Sequence, residues 1–222
     1  MTDGDSHAPA RRASSLARRA LWISLVAAAA AATAGTLLLV RQLHRAPPPP
    51  DLGAVPDFAL IERSGQAVRR ADLDGGPWIA DFVFTRCTGM CPALSTRMAD
   101  LRHRVADAGL TARFVSFSVD PMHDTPEVLR EYARRIGADG DDWLFLTGPR
   151  DALYELIGGG FHLSVSERPP TAVAAEGGEL IAHSDRFVLV DSVGRIRGYY
   201  HGLDATMPEE VIRDLSALAA EP

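Results

Sequence analysis

The stretch WIADFVFTRCTGMCP, Trp78 to Pro92, decides how the rest of the chain is read. Trp78 to Phe84 is a continuous apolar run interrupted only by Asp81, a pattern suited to a strand buried on both faces. Beyond it, Leu94, Met98, Leu101 and Val105 recur at helical spacing, which predicts a helix from about Cys91 to Ala108. The two together make a strand–loop–helix unit whose loop carries both cysteines of the chain, Cys87 and Cys91. A loop at the carboxyl end of a strand is where α/β folds place ligand sites.

Working outward, strands and helices alternate. Phe58–Ile61 is a short strand candidate, and residues 112–119 (ARFVSFSV) alternate apolar with small polar side chains and read as a second strand. Asp124 and Thr125 can cap a helix that has Pro126 and Glu127 in its first turn and runs to about Ile136. Trp143–Leu146 reads as a strand, and 151–157 as a short helix stopped by Gly158-Gly159-Gly160. Residues 166–179, rich in Pro, Ala, Gly and Glu, read as an exposed insertion or hairpin tip. Two strands, 187–190 and 195–200, flank the turn signal Asp191-Ser-Val-Gly194. Thr206-Met-Pro-Glu209 has the capping-box pattern and opens a last helix to about Ala219. The order is that of an α/β sheet with parallel strands early and an antiparallel edge late, which fits a thioredoxin-like domain.

The N-terminal part is different. Residues 21–40 (LWISLVAAAAAATAGTLLLV) carry no charge and are long enough to cross a bilayer core of roughly 30 Å as a helix. Arg11, Arg12, Arg18 and Arg19 precede this run, which places the N-terminus in the cytoplasm and the remainder outside. Ala32-Thr33-Ala34 resembles a signal-peptide cleavage site, but the apolar run continues through Val40, longer than a signal segment needs. The expected organisation is a cytoplasmic tail over 1–20, a transmembrane anchor over 21–40, a proline-rich linker over 41–56 and a thioredoxin-like domain over 57–222. That arrangement crosses a membrane once, with the folded domain on the outer side. The net charge of −6 and the absence of an Arg stripe with interleaved aromatics exclude a nucleic-acid partner.

Two cysteines are too few for a disulfide framework, and this domain is large enough to have its own core. Residues four apart share one face of a helix, so the two sulfurs can converge. The helix start favours their thiolate forms. Thiolates serve as redox nucleophiles and as soft metal ligands; paired with an imidazole they suit copper. Spacing alone leaves metal binding and a structural or redox pair equally open. A third ligand must come from one of seven histidines. His7 and His44 lie in the tail and at the membrane edge, His103 is mid-helix, His123 follows Met122 in a loop, His162 follows the glycine run, and His201 ends a strand. His183 stands before strand 187–190, where a thioredoxin-like layout faces the cysteine loop. Thioredoxins usually place a cis-proline there, whereas this chain has no proline between Pro170 and Pro208.

Three motifs in order resemble the Sco/SenC family of copper-binding proteins for cytochrome oxidase assembly. They are Asp81-Phe-Val-Phe-Thr85 leading into Cys87-Thr-Gly-Met-Cys-Pro92; Val115-Ser-Phe-Ser-Val-Asp-Pro121 with Asp124-Thr-Pro-Glu127; and His183-Ser-Asp-Arg-Phe-Val-Leu-Val-Asp191 with Gly194–Tyr200. The resemblance covers roughly residues 52–218. It implies a thioredoxin-like fold and a copper ion, Cu(I) and also Cu(II), held by Cys87, Cys91 and His183. It further implies delivery of that copper to the dinuclear site of cytochrome c oxidase subunit II, or reduction of that site's cysteines by the Cys87/Cys91 pair. Another periplasmic copper chaperone or a thiol–disulfide reductase would be a further partner. His123 and Met90 are candidate accessory ligands, and Asp120 a candidate for orienting a neighbouring loop.

Overall fold

The structure is a computed structural model, and it describes residues 10–43, 47–87, 89–167 and 181–220. His7, His44 and positions 168–179 of the expected insertion lie outside the described residues. The chain divides into two units, residues 1–46 and 47–222. The first is a helix, α1 (Ala10–Leu43). Within it, Arg18–Thr36 is long and apolar enough to cross a membrane.

The second unit is a mixed sheet between helices. Its strands are β1 (Ala59–Glu62), β2 (Ala67–Arg69), β3 (Trp78–Val83), β4 (Arg113–Ser118), β5 (Trp143–Thr147), β6 (Val165–Glu167), β7 (Ile181–His183), β8 (Arg186–Val190) and β9 (Ile196–His201). Seven of them form one sheet in the order β2-β1-β5-β4-β3-β8-β9, and β6 and β7 form a separate two-stranded ribbon. The helices are α2 (Cys91–Asp107), α3 (Pro126–Arg135), α4 (Arg150–Glu155) and α5 (Met207–Leu218). Strands β3, β4 and β5 are parallel neighbours, while β8 runs antiparallel to β3. This is the thioredoxin-like α/β arrangement expected from the alternating pattern.

All six residues of β3 are buried, as a strand covered on both faces must be. Successive side chains point to opposite faces. Trp78, Ala80 and Phe82 join Phe117, Leu153, Ile157 and Phe161 in one apolar layer. Ile79 joins Leu94, Met98 and Leu101 of α2, Leu129 and Tyr132 of α3, and Val211 and Leu215 of α5 in the other. Each such aliphatic or aromatic side chain contributes about 1.5–3 kcal/mol on full burial. The helical spacing of Leu94, Met98, Leu101 and Val105 is thus the inward stripe of α2.

Three local expectations change. Thr206 has helical backbone angles and its side chain caps nothing; the N–H of Met207 bonds instead to the Asp204 carbonyl, because a turn of chain already leads into α5. Thr125 alone caps α3, accepting from the Val128 N–H at 3.4 Å, while Asp124 turns into the interior. The glycine run does not stop α4: residues 156–160 continue it as a wide turn, closed by Phe161 N–H to the Leu156 carbonyl at 2.9 Å. Gly160 is required there, since a Cβ would come within 2.7 Å of the Pro56 ring.

Residues 49–55 run along the β9 edge. The Leu52 N–H donates to the Ile196 carbonyl at 2.9 Å, and the Arg197 guanidinium donates to the Pro49 carbonyl at 2.8 and 3.1 Å.

Candidate metal centre

Because β3 and β4 are parallel neighbours, the loops leaving their carboxyl ends lie side by side. One carries Cys87; the other carries Asp120 and Asp124. The antiparallel β8 begins at that same end of the sheet, so His183, at the close of β7, comes to it as well.

The cysteine loop is held from below. Asp124 is fully buried, and its carboxylate accepts three donors: the Thr85 N–H at 3.2 Å, the Thr85 hydroxyl at 2.6 Å and the Ser118 hydroxyl at 2.7 Å. Burial pushes the Asp124 carboxyl up, and the Thr85 and Ser118 bonds pull against that push. Arg86 forks onto Asp120 Oδ2 with Nε at 2.9 Å and Nη2 at 2.6 Å, so Asp120 does tie down a neighbouring loop. These bonds join the loop after β3 to the loop after β4 at two consecutive residues, Thr85 and Arg86.

Both cysteines are free thiols. Cys91 is the first residue of α2, where backbone N–H groups lack helical partners. Its own N–H donates to Cys87 Sγ at 3.2 Å, so a sulfur does the work of an N-cap. Cys91 is deeper, 1% exposed against 8% for Cys87. Burial first, and the neighbouring Cys87 second, push its thiol well above the ordinary range. Cys87 also borders an open cavity of about 510 Å³ between α2 and α3, shared with Thr85, Pro92 and Tyr132.

His183 completes the group. Its Nδ1 lies 3.0 Å from the Ser184 carbonyl, an oxygen that only accepts, so Nδ1 carries the hydrogen. In the neutral ring this leaves the lone pair on Nε2, which lies 3.4 Å from Cys91 Sγ. Phe84 packs edge-on against the ring, with centroids 5.6 Å apart. The three residues singled out in the sequence thus form one line of contacts, Cys87 to Cys91 to His183. Among the described residues, no three His, Cys, Asp or Glu groups already close on a common point. The donor set itself is soft: two sulfurs and an imidazole with its tautomer held by a backbone carbonyl, the usual way a ligating histidine is oriented.

The other candidates lie elsewhere. His103 is exposed, and His201 pairs with Asp185 at 3.0 Å. His162 is exposed in a left-handed backbone conformation, φ 54°. His123 is exposed beside Thr85, Arg86 and Glu127 around a cavity of about 440 Å³, and Met90 packs against the α2 layer. Asp124, which the sequence offers as a cap for α3, instead fastens the cysteine loop.

The chain is similar to known proteins in sequence and in fold. The family model described as SCO1/SenC matches residues 48–220. The SCO1 protein homolog of Bacillus subtilis is 30% identical over 163 residues, 73% of this chain and 81% of that protein. Among solved structures, BsSco, described as a member of the Sco family of cytochrome c oxidase assembly proteins with a disulfide switch, superposes with a TM-score of 0.69 at 28% identity, covering 80% of this chain and 100% of that one. Copper-bound ScoI of Bradyrhizobium japonicum shares the fold with a TM-score of 0.61 at 22% identity, covering 74% and 99%.

Proposed function

This chain belongs to the SCO1/SenC family, and from that membership we propose that it is a membrane-anchored copper chaperone. The observation that carries the proposal is the position of the His183 ring, its Nδ1 3.0 Å from the Ser184 carbonyl and its Nε2 3.4 Å from Cys91 Sγ. Cys87, Cys91 and His183 would hold one copper ion as cargo. Two thiolates and an imidazole suit Cu(I), and the same set accommodates Cu(II). Loading displaces the thiol protons and turns Cys87 Sγ from the Cys91 N–H toward the metal. Transfer is a ligand exchange, in which incoming cysteines replace Cys87 and Cys91 stepwise and His183 leaves first. The receiving site is the dinuclear copper centre of cytochrome c oxidase subunit II, with another periplasmic copper chaperone or a thiol–disulfide reductase as further partner. Residues 21–40 hold the chain in the bacterial inner membrane, with the domain on the periplasmic side.

The difference in depth between the two sulfurs favours a second reading, thiol–disulfide exchange on the receiving site's cysteines. The shallower Cys87, beside its cavity, would attack a target disulfide, and the deeper Cys91 would resolve the mixed disulfide. Copper stoichiometry on the reduced, anaerobic full-length protein in detergent separates the two. One tightly held copper per chain supports the chaperone; no stable copper refutes it and leaves the reductase.

A further inference from the structure

The cavity beside Cys87 is a groove between two helices. One wall is the face of α2 that carries Pro92, Thr96 and Ala99; the other is Tyr132 and Arg135 of α3. Positions 92, 96 and 99 share one helix face and span about 10 Å of helix axis. α3 begins at Pro126, just past the loop that fastens the cysteine loop, and Arg135 is its last residue. Cys87 therefore stands at one end of the groove and Arg135 toward the other. The volume of about 510 Å³ is that of a small-ligand cleft. Among the described residues, Arg135 is the charged side chain on the wall, and no carboxylate pairs with it; Glu131, one turn earlier, is paired with Arg134 instead. The Arg135 guanidinium carbon lies 5.5 Å from the centre of the Tyr132 ring, and the Tyr132 hydroxyl is bonded to Ser95 at 2.6 Å. Stacking on a ring uses the face of a guanidinium and leaves its N–H edge free to fork onto a carboxylate.

A ligand matched to this groove carries sulfur at one end and negative charge at the other. An extended peptide covers about 10 Å in about three residues. We propose that the groove binds a low-molecular-mass thiol of di- or tripeptide size with a free carboxylate, or the disulfide of that thiol, its sulfur at Cys87 and its carboxylate on Arg135. With the disulfide the step is an exchange. The Cys87 S–H proton goes to solvent and the Cys87 sulfur bonds to one sulfur of the ligand. The ligand's S–S bond breaks, and its other half departs with the bonding electron pair as a thiolate. Cys87 is thereby oxidised to a mixed disulfide and the departing half is reduced. A capped Cys87 cannot serve as a metal ligand, so the groove couples copper loading to the redox state of the small-thiol pool. The proposal rests on Cys87 being the outward thiol of the site, as in the thiol–disulfide reading, and its test uses no copper.

The test uses the reduced full-length protein in detergent and two probes that share their sulfur chemistry, glutathione disulfide and the same molecule with its glycine carboxylates esterified. The rate of thiol loss is read by acid quench, alkylation and mass. The measured quantity is the ratio of the acid's rate to the ester's. Arg135→Gln should lower that ratio about 3- to 5-fold, the scale of an exposed ion pair, by slowing the acid and leaving the ester unchanged. Arg135→Lys should keep part of the ratio. Arg134→Gln removes a charge from the same turn of α3 but outside the groove, and should leave the ratio as in wild type. A ratio unchanged in Arg135→Gln would overturn the proposal. An equal fall in Arg134→Gln would also overturn it, because the preference would then belong to the diffuse field of the helix end. If neither probe reacts, Cys87 is not an accessible thiol, and the proposal falls together with the thiol–disulfide reading, whatever the copper stoichiometry.

Discussion

The Nε2 of His183 lies 3.4 Å from Cys91 Sγ while its Nδ1 is held 3.0 Å from the carbonyl of the next residue, Ser184. The carbonyl only accepts, so Nδ1 carries a hydrogen, and in the neutral ring Nε2 then presents its lone pair to the sulfur. Replacing His183 by Ala removes one soft-site donor and leaves the layers beneath intact. The expected outcome is Cu(I) affinity lowered by roughly 10–100-fold, the scale on which perturbing a ligand's surroundings already acts. Competition with a chromogenic Cu(I) chelator measures it, beside a melting temperature within a few degrees of wild type. Unchanged affinity would remove His183 from the ligand set.

Asp124→Ala should be among the more damaging single changes near the site. It strands the Thr85 N–H, the Thr85 hydroxyl and the buried Ser118 hydroxyl at once. The expected loss is about 2–4 kcal/mol, since each stranded buried donor costs on the order of 1–3 kcal/mol and the pocket relaxes in part. Urea denaturation gives the stability. The lowered thiol protection expected at Cys87 can be followed by alkylation, because the loop carrying it loses its tie to β4.

Asp81 sets a pH dependence of stability whose sign is unusual for an acid. Its folded-state carboxyl sits at about 7, above the ordinary 3.8. The folded protein therefore holds a proton that the unfolded chain has already released, and stability falls as pH rises from about 4 to 7 and is level above that. The full difference is on the order of 4 kcal/mol. Asp81→Asn should remove this slope. Its urea midpoint should exceed that of wild type at pH 8 and match it far more closely at pH 4. A variant less stable than wild type at pH 8 would show that the carboxylate is paired after all.

Arg197 joins the segment at Pro49 to the turn at Asp191. Its Nη1 lies 2.9 Å from Asp191 Oδ2, and both side chains are largely buried. Arg197→Ala should cost about 3 kcal/mol, as breaking a buried ion pair from one side does. It should also expose residues 49–55 to limited proteolysis, with cleavage there appearing before any cut in the sheet.

The elements legible in the sequence were those whose burial pattern is set by their own neighbours. The apolar run at Trp78 could only be a covered strand, and the spacing of Leu94, Met98, Leu101 and Val105 could only be the inward stripe of a helix. The short β2, β6 and β7 were not visible. Strands of three residues have no periodicity of their own, and each exists only by pairing with a partner. The capping signal at Thr206 failed because the turn before α5 had already supplied carbonyls, a fact of the chain's path and not of its local composition.

The sequence by itself determined the strand–loop–helix with its two sulfurs, the α/β class and, through three motifs, His183 as their companion. Local spacing and side-chain type suffice for those. Only the tertiary structure decided which sulfur lies deeper, that Cys87 caps the helix that Cys91 begins, that Asp124 fastens the loop, and that Asp81 stands unpaired on the strand leading to it. The tie of Asp124 to Thr85 and the approach of His183 to Cys91 join residues 39 and 92 positions apart in the chain. Parallel pairing of β3 with β4 and the return of β8 beside them bring those groups together.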